Sequence, residues 1–229
     1  MRMTSLYERI GHQVNRLINE SMKCSTVAEM GKANDWLLVG SDGHTRCWWC
    51  GEDDQYVQYH DNEWGRPVHD DQRLFEKVCL EGFQSGLSWI TILRRREGFR
   101  AAFANFDFYE VAKFRSKDVE RLLKNDGIIR HRGKIEATIN NAQKCCELIK
   151  DEGSLSDFMW SFAPDGKDIA VGNTHASGIP AVTQASTDLS KALKKRGWKF
   201  VGPTTMYALM QAVGMVNDHL LGCFVRDDC

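Results

Sequence analysis

The amino-acid sequence predicts an all-α fold. Three observations lead to this prediction: helical hydrophobic periodicity runs through most of the 229 residues, strand-like alternation of apolar and polar residues is absent, and the chain has only four prolines. With 42% hydrophobic and 27% charged residues, a chain of this length is able to bury a complete core. We therefore expect a helical protein that folds without disulfides.

A first amphipathic helix is predicted near the N-terminus. Ser5 and Glu8 have the spacing of a capping box, and the apolar positions on one face are Leu6, Ile10, Val14, Leu17 and Ile18. A polar, glycine-containing stretch at 31–43 separates this helix from the rest of the chain. We therefore treat residues 1–43 as an appended segment and residues 44–229 as the main domain.

Four further helices are predicted in the main domain. Their apolar positions are Leu74, Phe75, Val78 and Cys79 in the first, Val119, Leu122 and Leu123 in the second, Ile135, Ile139, Ala142, Cys146 and Ile149 in the third, and Tyr207, Met210, Val213 and Gly214 in the last. Asp70 or Asp71 is placed to cap the first of these helices. We expect the last to end near Asn217.

Composition limits the protein's environment and partners. Eight cysteines are too few for a disulfide scaffold in a chain this long, which favours a reducing cytoplasm, and no apolar run reaches membrane-spanning length. The net charge of −1 gives no overall sign of nucleic-acid binding, although basic residues cluster at 94–96, 130–134 and 191–199. Each cluster alone is typical of a solvated helix face, and one positively charged face formed by all three is the alternative.

Two pairs of candidate metal ligands lie near the two ends of the main domain. Cys47 and His60 occur near its start, and His219 and Cys223 near its end. On a helix, the four-position spacing of the later pair would project both side chains from one face. Two thiolates with two imidazoles suit tetrahedral zinc in a closed, structural site. The alternatives are a redox-type C-x-x-C formed by Cys47 and Cys50, and ordinary core roles for His219 and Cys223.

Glu81 is a candidate pocket acid. It lies seven positions after Leu74 and three after Val78, which places it on the apolar face of its own helix. A buried partner, such as an arginine or a free backbone N–H, would also explain an inward glutamate. The aromatic residues nearby in sequence are Trp48, Trp49, Tyr56, Tyr59, Trp64 and Trp89. Such residues are often core, but an aromatic slot with one carboxylate acceptor suits an extruded, amino-bearing base.

The segment 126–134, Asp-Gly-Ile-Ile-Arg-His-Arg-Gly-Lys, joins two amphipathic helical patterns. Gly127 is predicted to end the first helix in the left-handed conformation, and Gly133 to let the backbone approach a ligand. This is the pattern of a helix–hairpin–helix, whose backbone N–H groups hold a phosphate without reading sequence. An ordinary helix connection with solvated basic residues is the alternative. The candidate DNA-backbone contacts are Gly127, Arg130, Arg132, Gly133 and Lys134.

Five stretches of the chain carry a resemblance to a known family. They are Tyr-His-Asp-Asn-Glu-Trp-Gly at 59–65, Cys-Leu-Glu-Gly at 79–82 continuing to Gly-Leu-Ser-Trp-Ile at 86–90, Gly-Ile-Ile-Arg-His-Arg-Gly-Lys at 127–134, Leu-Ser-Lys-Ala-Leu-Lys-Lys-Arg-Gly at 189–197 and Val-Asn-Asp-His at 216–219. In order and nearly without gaps, they resemble the 3-methyladenine DNA glycosylase I family from about residue 46 to residue 224.

The resemblance implies an all-α fold of the helix–hairpin–helix glycosylase superfamily with two helical lobes. A zinc clip made from Cys47, His60, His219 and Cys223 would join the N- and C-terminal parts of the core. The implied reaction is hydrolysis of the N-glycosidic bond of 3-methyladenine in alkylated double-stranded DNA, which releases the free base and leaves an abasic site. We expect a monofunctional, monomeric repair enzyme of the cytoplasm.

On the basis of this resemblance, we assign the following roles to the pocket residues as hypotheses. Glu81 would accept hydrogen bonds from the edge of the base, Trp89 and Tyr59 would stack on its faces, and Leu87 would wedge into the duplex. The remaining lining residues would be Trp49, Tyr56 and Trp64. Downstream of the hairpin, Asp151, Asp157 and Asp165 do not resemble the superfamily's catalytic aspartate motif, so rate acceleration would come from base recognition, desolvation and electrostatics.

Three other classes of protein fit parts of the sequence. A non-catalytic DNA-binding module would keep the hairpin and basic clusters but would not need an inward Glu81. A zinc hydrolase would need an open metal position, which two cysteines and two histidines do not leave. A thiol oxidoreductase would use Cys47 and Cys50, but the βαβ pattern of that class is missing.

Overall fold

The computed structural model describes residues 36–165 and 175–229. The predicted N-terminal helix at residues 5–18 lies outside these ranges. Residues 34–229 form one compact unit. Within the described ranges, none of the helices has the length and apolar character needed to cross a membrane.

The described part of the chain is mostly helical, as the sequence predicts. Its α-helices are α1 Asp54–Asn62, α2 Asp71–Gln84, α3 Trp89–Leu93, α4 Arg96–Ala102, α5 Phe108–Val111, α6 Ser116–Leu123, α7 Arg132–Glu152, α8 Leu155–Trp160, α9 Gln184–Lys195 and α10 Pro203–Ala212. Short 3₁₀ turns lie at Trp48–Cys50, Ala104–Phe106, Ala176–Gly178 and Arg226–Asp228. The four helices predicted for the main domain correspond to α2, α6, α7 and α10.

A two-stranded antiparallel sheet precedes the helices and was not predicted. Strand β1 is Leu37–Val39 and β2 is Thr45–Cys47, with Leu37 opposite Cys47. Strands of three residues are too short to leave an alternating pattern in the sequence. β1 falls within the predicted appended segment, 1–43, and Trp48 N–H donates to the Trp36 carbonyl at 2.9 Å, so residues 36–39 pack against the start of the domain.

Helix α2 occupies the centre of the structure and contacts α3, α7, α8 and α10. Its residues from Leu74 to Phe83 are all buried. Asp70 caps it by accepting a hydrogen bond from the Arg73 N–H at 2.8 Å, which confirms the first of the two predicted caps. Asp71, the other candidate, instead accepts from backbone N–H groups in the first turn of α8. Of the two adjacent aspartates, one therefore caps α2 and the other holds the start of α8 next to the start of α2.

Helix α10 ends at Ala212 and not near Asn217 as predicted. Gly214 has a φ of +75°, and a Cβ at this residue would lie 2.6 Å from the carbonyl carbon of Arg66. The close approach of two backbones, which only glycine permits, turns the chain away from the helical path. His219 and Cys223 consequently lie in a non-helical turn and not on a helix face as the spacing suggested.

The connection between α6 and α7 also differs in detail from the prediction. Gly127 does not adopt the left-handed conformation expected of it. Its role is close packing, because a Cβ on Gly98 of α4 would lie 2.3 Å from the Gly127 carbonyl oxygen. Helix α4 therefore rests directly on the backbone of this connection, and the contact depends on the missing side chain of Gly98.

Candidate active site

An aromatic cavity of about 320 Å³ contains most of the predicted pocket residues. It is lined by Trp48, Trp49, Tyr56, Tyr59, Trp64, Glu81, Gln84, Trp89, Ala176, Ile179, Ala208 and Gln211. Glu81 and the five aromatic residues predicted for the slot are all present in this lining. Leu87 is not; it lies in the turn between α2 and α3 with 41% of its surface exposed.

Three helices and one turn position the walls of the cavity. Asp53 accepts from the Tyr56 N–H at 3.1 Å and so starts α1, on which Tyr56 and Tyr59 lie one turn apart on one face. Glu81 occupies the last turn of α2, and Trp89 is the first residue of α3. These helices and the 3₁₀ turn Trp48–Cys50 carry most of the lining between Trp48 and Trp89. The rest of the lining comes from Ala176, Ile179 and, on α10, Ala208 and Gln211.

The aromatic rings pack edge to face or tilted against one another. Trp49 lies with its ring centroid 4.9 Å from that of Trp64 and 5.1 Å from that of Tyr56. The Tyr59 and Trp89 rings are 5.3 Å apart and inclined at 43°. A base held between two parallel rings needs a separation of about 7 Å, twice a van der Waals contact. Stacking on both faces therefore requires Trp89 to move outward by about 2 Å.

Glu81 is the acidic group of the cavity and is only 5% exposed. Its carboxylate has no hydrogen bond or ion pair with any residue that the structure describes, so the alternative of a buried arginine or backbone partner is not observed. Burial raises the pKa of Glu81 to about 8, and the charge of Lys77, one helical turn earlier, opposes this rise. An inward carboxyl group without a protein partner is available to a ligand.

Replacement of Glu81 by glutamine is expected to stabilise the protein increasingly as the pH rises from about 5 to 8. An unfolded glutamate ionises near 4.5, whereas burial raises the folded-state pKa to about 8, so the folded state binds more protons in this window. The ionisation of Glu81 therefore lowers the free energy of unfolding of the wild type by up to about 1.4 kcal/mol per pH unit in this window. Glu81→Gln avoids this loss. Urea unfolding of both proteins across this window measures the difference. A difference independent of pH would show that Glu81 ionises normally.

Cys47, His60, His219 and Cys223 form a buried cluster beside the cavity. One ligand atom from each lies within 4.8 Å of all the others. The Cys223 Sγ is 3.4 Å from His60 Nε2 and 3.5 Å from His219 Nδ1, and the Cys47 Sγ is 3.8 Å from His219 Nδ1 across 172 positions of the chain. The four residues predicted as ligands are therefore brought together by the fold.

The donor set and its spacing fit a tetrahedral metal ion. Zn–S bonds of about 2.3 Å and Zn–N bonds of about 2.0–2.1 Å separate sulfur and nitrogen ligands by about 3.6 Å, close to the observed distances. His60 Nδ1–H donates to Asp61 at 2.7 Å and His219 Nε2–H donates to the Trp64 carbonyl at 3.2 Å. These bonds leave the other nitrogen of each ring free for a metal, the arrangement usual around ligating histidines.

Cys50 lies near the cluster but does not belong to it. Its thiol donates to the Cys47 carbonyl at 3.1 Å, and both cysteines are free. Burial raises the pKa of the Cys50 thiol to about 11, which is opposite to the activation that a redox cysteine needs. The geometry therefore favours the metal cluster over the C-x-x-C alternative.

The five predicted DNA contacts have different environments in the structure. Lys134 is buried, and its Nζ donates to the carbonyls of Phe83 at 2.8 Å and Ser85 at 2.6 Å, where α2 ends. Arg132 is exposed and pairs with Glu120 at 2.7 Å. The remaining three are the exposed Arg130 and the partly exposed Gly127 and Gly133. Of the three basic residues, Arg130 is the one whose charge is left for an external partner, since no ion pair to it is found within the described ranges.

Some cavity residues gave no signal in the sequence. Gln211 lines the cavity from α10, where its Nε2 donates to the buried Asp218 at 2.8 Å, and the Tyr207 hydroxyl donates to the same carboxylate. The other lining residues that were not predicted are Gln84, Ala176, Ile179 and Ala208. Gln211 is 130 positions from Glu81, and no local pattern relates the two residues.

Comparison with known proteins shows that the chain matches one protein family. Residues 49–226 match the family described as methyladenine glycosylase. The chain is 52% identical over 178 residues to DNA-3-methyladenine glycosylase 1 of Escherichia coli (strain K12), an alignment that covers 78% of this chain and 95% of the relative. It is 49% identical over 179 residues to DNA-3-methyladenine glycosylase of Haemophilus influenzae, with coverage of 78% and 96%.

Solved structures show the same similarity in three dimensions. A crystal structure of 3-methyladenine DNA glycosylase I superposes with a TM-score of 0.75 at 53% identity and covers 78% of this chain and 98% of its own. A second structure is that of 3-methyladenine DNA glycosylase I from Staphylococcus aureus, which was solved to explain how that enzyme recognises 3-methyladenine. It superposes with a TM-score of 0.75 at 38% identity and covers 79% of this chain and 96% of its own.

Proposed function

Because the chain belongs to the methyladenine glycosylase family, we propose that it is a DNA repair enzyme that hydrolyses the N-glycosidic bond of 3-methyladenine in alkylated DNA. The products are the free base and an abasic site. The observation that carries this proposal is the carboxyl group of Glu81, which has no partner among the described residues and lies in an aromatic cavity large enough for a purine. Such a cavity receives a base after it is rotated out of the duplex.

The charge of the substrate explains why Glu81 suits the cavity. A purine methylated at N3 within DNA is a cation, and a positive charge close to Glu81 favours the ionised carboxylate over the neutral acid. The carboxylate accepts hydrogen bonds from the edge of the base, including its amino group. Unmethylated adenine lacks the charge and would leave Glu81 neutral, so the pocket discriminates in favour of the cationic base.

Bond cleavage in this proposal needs little direct assistance to the leaving group. The C1′–N9 bond breaks with its electron pair going to the base, which thereby loses its positive charge. Water attacks C1′ of the oxocarbenium-like sugar and gives up a proton to solvent. Asp151 pairs with Arg196 on the surface, and neither Asp157 nor Asp165 lines the cavity. Activity is therefore confined to bases whose glycosidic bonds methylation has already weakened.

The walls of the cavity supply recognition of the base. Tyr59 and Trp89 would stack on its two faces after Trp89 moves outward, and Trp49, Tyr56 and Trp64 would enclose its edges. Leu87, exposed in the turn just before α3, is the apolar residue that would fill the space left in the duplex by the extruded nucleotide.

We assign the Cys47, His60, His219 and Cys223 cluster to structural zinc. Bound there, zinc would hold the turn with the last two ligands against the start of the domain, and with four protein ligands it has no position for water or substrate. Hydrogen bonds with Cys47, His219 and His60 lower the pKa of the Cys223 thiol, which favours the thiolate that a metal requires.

The connection between α6 and α7 is proposed as the helix–hairpin–helix that grips the DNA backbone. At the N-terminus of α7, His131 accepts from the Lys134 N–H, but the N–H groups of Arg132 and Gly133 have no partner among the described residues. They lie close in the chain to the exposed Arg130, an arrangement that attracts a phosphate. Lys134 stabilises this connection from inside by tying α7 to the end of α2. Its contribution to DNA binding is therefore indirect.

Arg130→Gln is expected to weaken binding to any duplex DNA and to lower the dependence of binding on salt. Loss of one phosphate contact reduces the slope of log K against log salt concentration by about 0.9. Fluorescence anisotropy of a labelled duplex over a salt series measures this slope. Lys113→Gln, which changes an exposed lysine paired with Glu110, is the charge-matched control. An unchanged slope for Arg130→Gln would place the phosphate contacts elsewhere.

The proposed reaction is tested by the bases that the purified protein releases from methylated duplex DNA. We expect free 3-methyladenine to appear on chromatography while unmethylated adenine stays in the DNA, and strands to break only after alkali treatment. Failure of the folded, metal-loaded protein to release any base would overturn the proposal. Strand cleavage without alkali would contradict a monofunctional glycosylase.

A further inference from the structure

A second, small cavity adjoins the aromatic cavity at Trp89. Its volume is about 10 Å³, roughly the space for one water molecule or one monatomic ion. It is lined by Glu63, Arg73, Glu76, Lys77, Leu80, Trp89, Arg96 and Arg100, and it shares only Trp89 with the larger cavity. Nothing in the proposed glycosylase reaction uses this space.

The wall of the small cavity has an excess of positive charge. Four of its residues are basic and two are acidic, which leaves a formal charge of +2. Both acidic groups are already neutralised: Arg96 binds both oxygens of Glu63, at 2.6 and 2.8 Å, and Arg100 binds both oxygens of Glu76. The two remaining positive charges belong to Arg73, which is exposed to solvent, and to the buried Lys77, which forms no ion pair within the described ranges.

The unused hydrogen-bonding groups around the cavity are all donors. Trp89 Nε1 and Arg96 Nε are buried, and neither has a partner in the described ranges. Lys77 is only 7% exposed and forms no hydrogen bond or ion pair there; its Nζ lies 5.6 Å from the centre of the Tyr59 ring. Buried donors are normally satisfied, so three unused donors on residues that line one cavity indicate a missing acceptor.

We propose that this cavity binds a single monatomic anion of the chloride class. A single water molecule accepts only about two hydrogen bonds, so it would leave one of the three donors without a partner. An anion accepts from several donors at once and neutralises part of the positive wall. The proposal is independent of the glycosylase reaction, because it concerns the residues behind the base cavity.

The anion would support the wall that the base contacts. Trp89 belongs to both cavities, and Lys77 faces the Tyr59 ring from behind. An anion held by Trp89 Nε1 and Lys77 would therefore influence how far Trp89 moves away from Tyr59 when a base enters. Occupancy of the small site and order in the aromatic cavity are then linked.

Crystals of the full chain grown with sodium bromide in place of chloride test the site directly. We expect an anomalous bromide peak within hydrogen-bond distance of Trp89 Nε1 and Arg96 Nε. Density for a single water at this position, with no anomalous signal, would overturn the proposal, and so would an empty cavity.

Thermal unfolding at constant ionic strength gives a second test in solution. Replacement of gluconate by chloride is expected to raise the melting temperature of the wild type. Once the site fills, the rise should be about 3–5 °C for each tenfold increase in chloride concentration. Lys77→Met should lose this chloride dependence, and Lys124→Met, which changes an exposed lysine, should keep it. Equal melting temperatures of the wild type in both salts would contradict the proposal.

Discussion

Glu81→Gln is expected to lower the rate of 3-methyladenine release at least about 100-fold while leaving the protein folded. Glutamine keeps the shape of the side chain but cannot become negatively charged, so the cationic base loses its counter-charge inside a cavity where burial strengthens electrostatic interactions. Single-turnover release from methylated duplex DNA, with enzyme in excess, measures the effect. The rate constant for the chemical step is the quantity to compare.

Glu76→Gln is the matched control for this experiment. Glu76 lies five positions earlier on α2 and is also buried, but it pairs with Arg100 and does not line the aromatic cavity. This variant should lose stability and keep most of its release rate. Similar rates for wild type and Glu81→Gln would remove Glu81 from the mechanism, and an equal loss in both variants would attribute the effect to damage to α2.

Removal of the metal is expected to lower the melting temperature by about 10 °C or more. The cluster joins Cys47 to His219 across 172 positions of the chain, and without the ion it leaves two thiols and two imidazoles buried together. Melting curves with and without a strong chelator, combined with metal analysis of the purified protein, measure the effect. One zinc per chain is the expected stoichiometry.

Substitutions at two cysteines separate the metal site from the redox alternative. Cys223→Ser should lose the metal and reproduce the effect of the chelator, whereas Cys50→Ser should retain one zinc and nearly the wild-type melting temperature. The reason is that the Cys50 thiol is bonded to the Cys47 carbonyl and is no part of the cluster. Loss of zinc from Cys50→Ser, or an unchanged melt in the chelator, would contradict a structural site built from the four assigned ligands.

The sequence correctly predicted that Glu81 lies on the inner face of its helix, because the evidence for this comes from residues close to it in the sequence. A carboxylate three and seven positions after buried apolar residues must lie on the inner face of α2, and the structure buries it there. The nearby aromatic residues were found in the same short range of sequence. Gln211 could not be found this way, since only the packing of α10 against α2 brings it to the cavity.

The four residues predicted as metal ligands do come together in a cluster, but part of the reasoning from their spacing was wrong. Their spacing suggested two side chains on one helix face, but His219 and Cys223 lie in a turn after α10 has ended. Gly222 in this turn has a φ of +94°, a conformation that favours glycine and lets the chain reverse toward Cys47. Spacing alone does not distinguish a helical turn from a tight loop of equal length.

Lys134 shows why side-chain direction escapes a sequence pattern. The basic residues of the connection before α7 look equivalent, and all were predicted to contact DNA. The structure turns Lys134 inward to the carbonyls at the end of α2, where the helix dipole attracts a cation, and leaves Arg130 exposed. The choice depends on where α2 ends relative to α7, and this is a property of the folded chain.

The central claim is that the aromatic cavity with Glu81 receives the methylated base. Its most direct test is titration of free 3-methyladenine into the zinc-loaded protein, monitored by tryptophan fluorescence, because four tryptophans line the cavity. We predict a saturable change for the wild type and a lower affinity for Glu81→Gln, because the amide replaces one acceptor oxygen with a donor nitrogen and the neutral free base then loses a hydrogen bond to its edge. The claim would be contradicted if the wild type released 3-methyladenine from DNA but showed no saturable fluorescence response to the free base. Equal affinities of the wild type and Glu81→Gln for the free base would also contradict it.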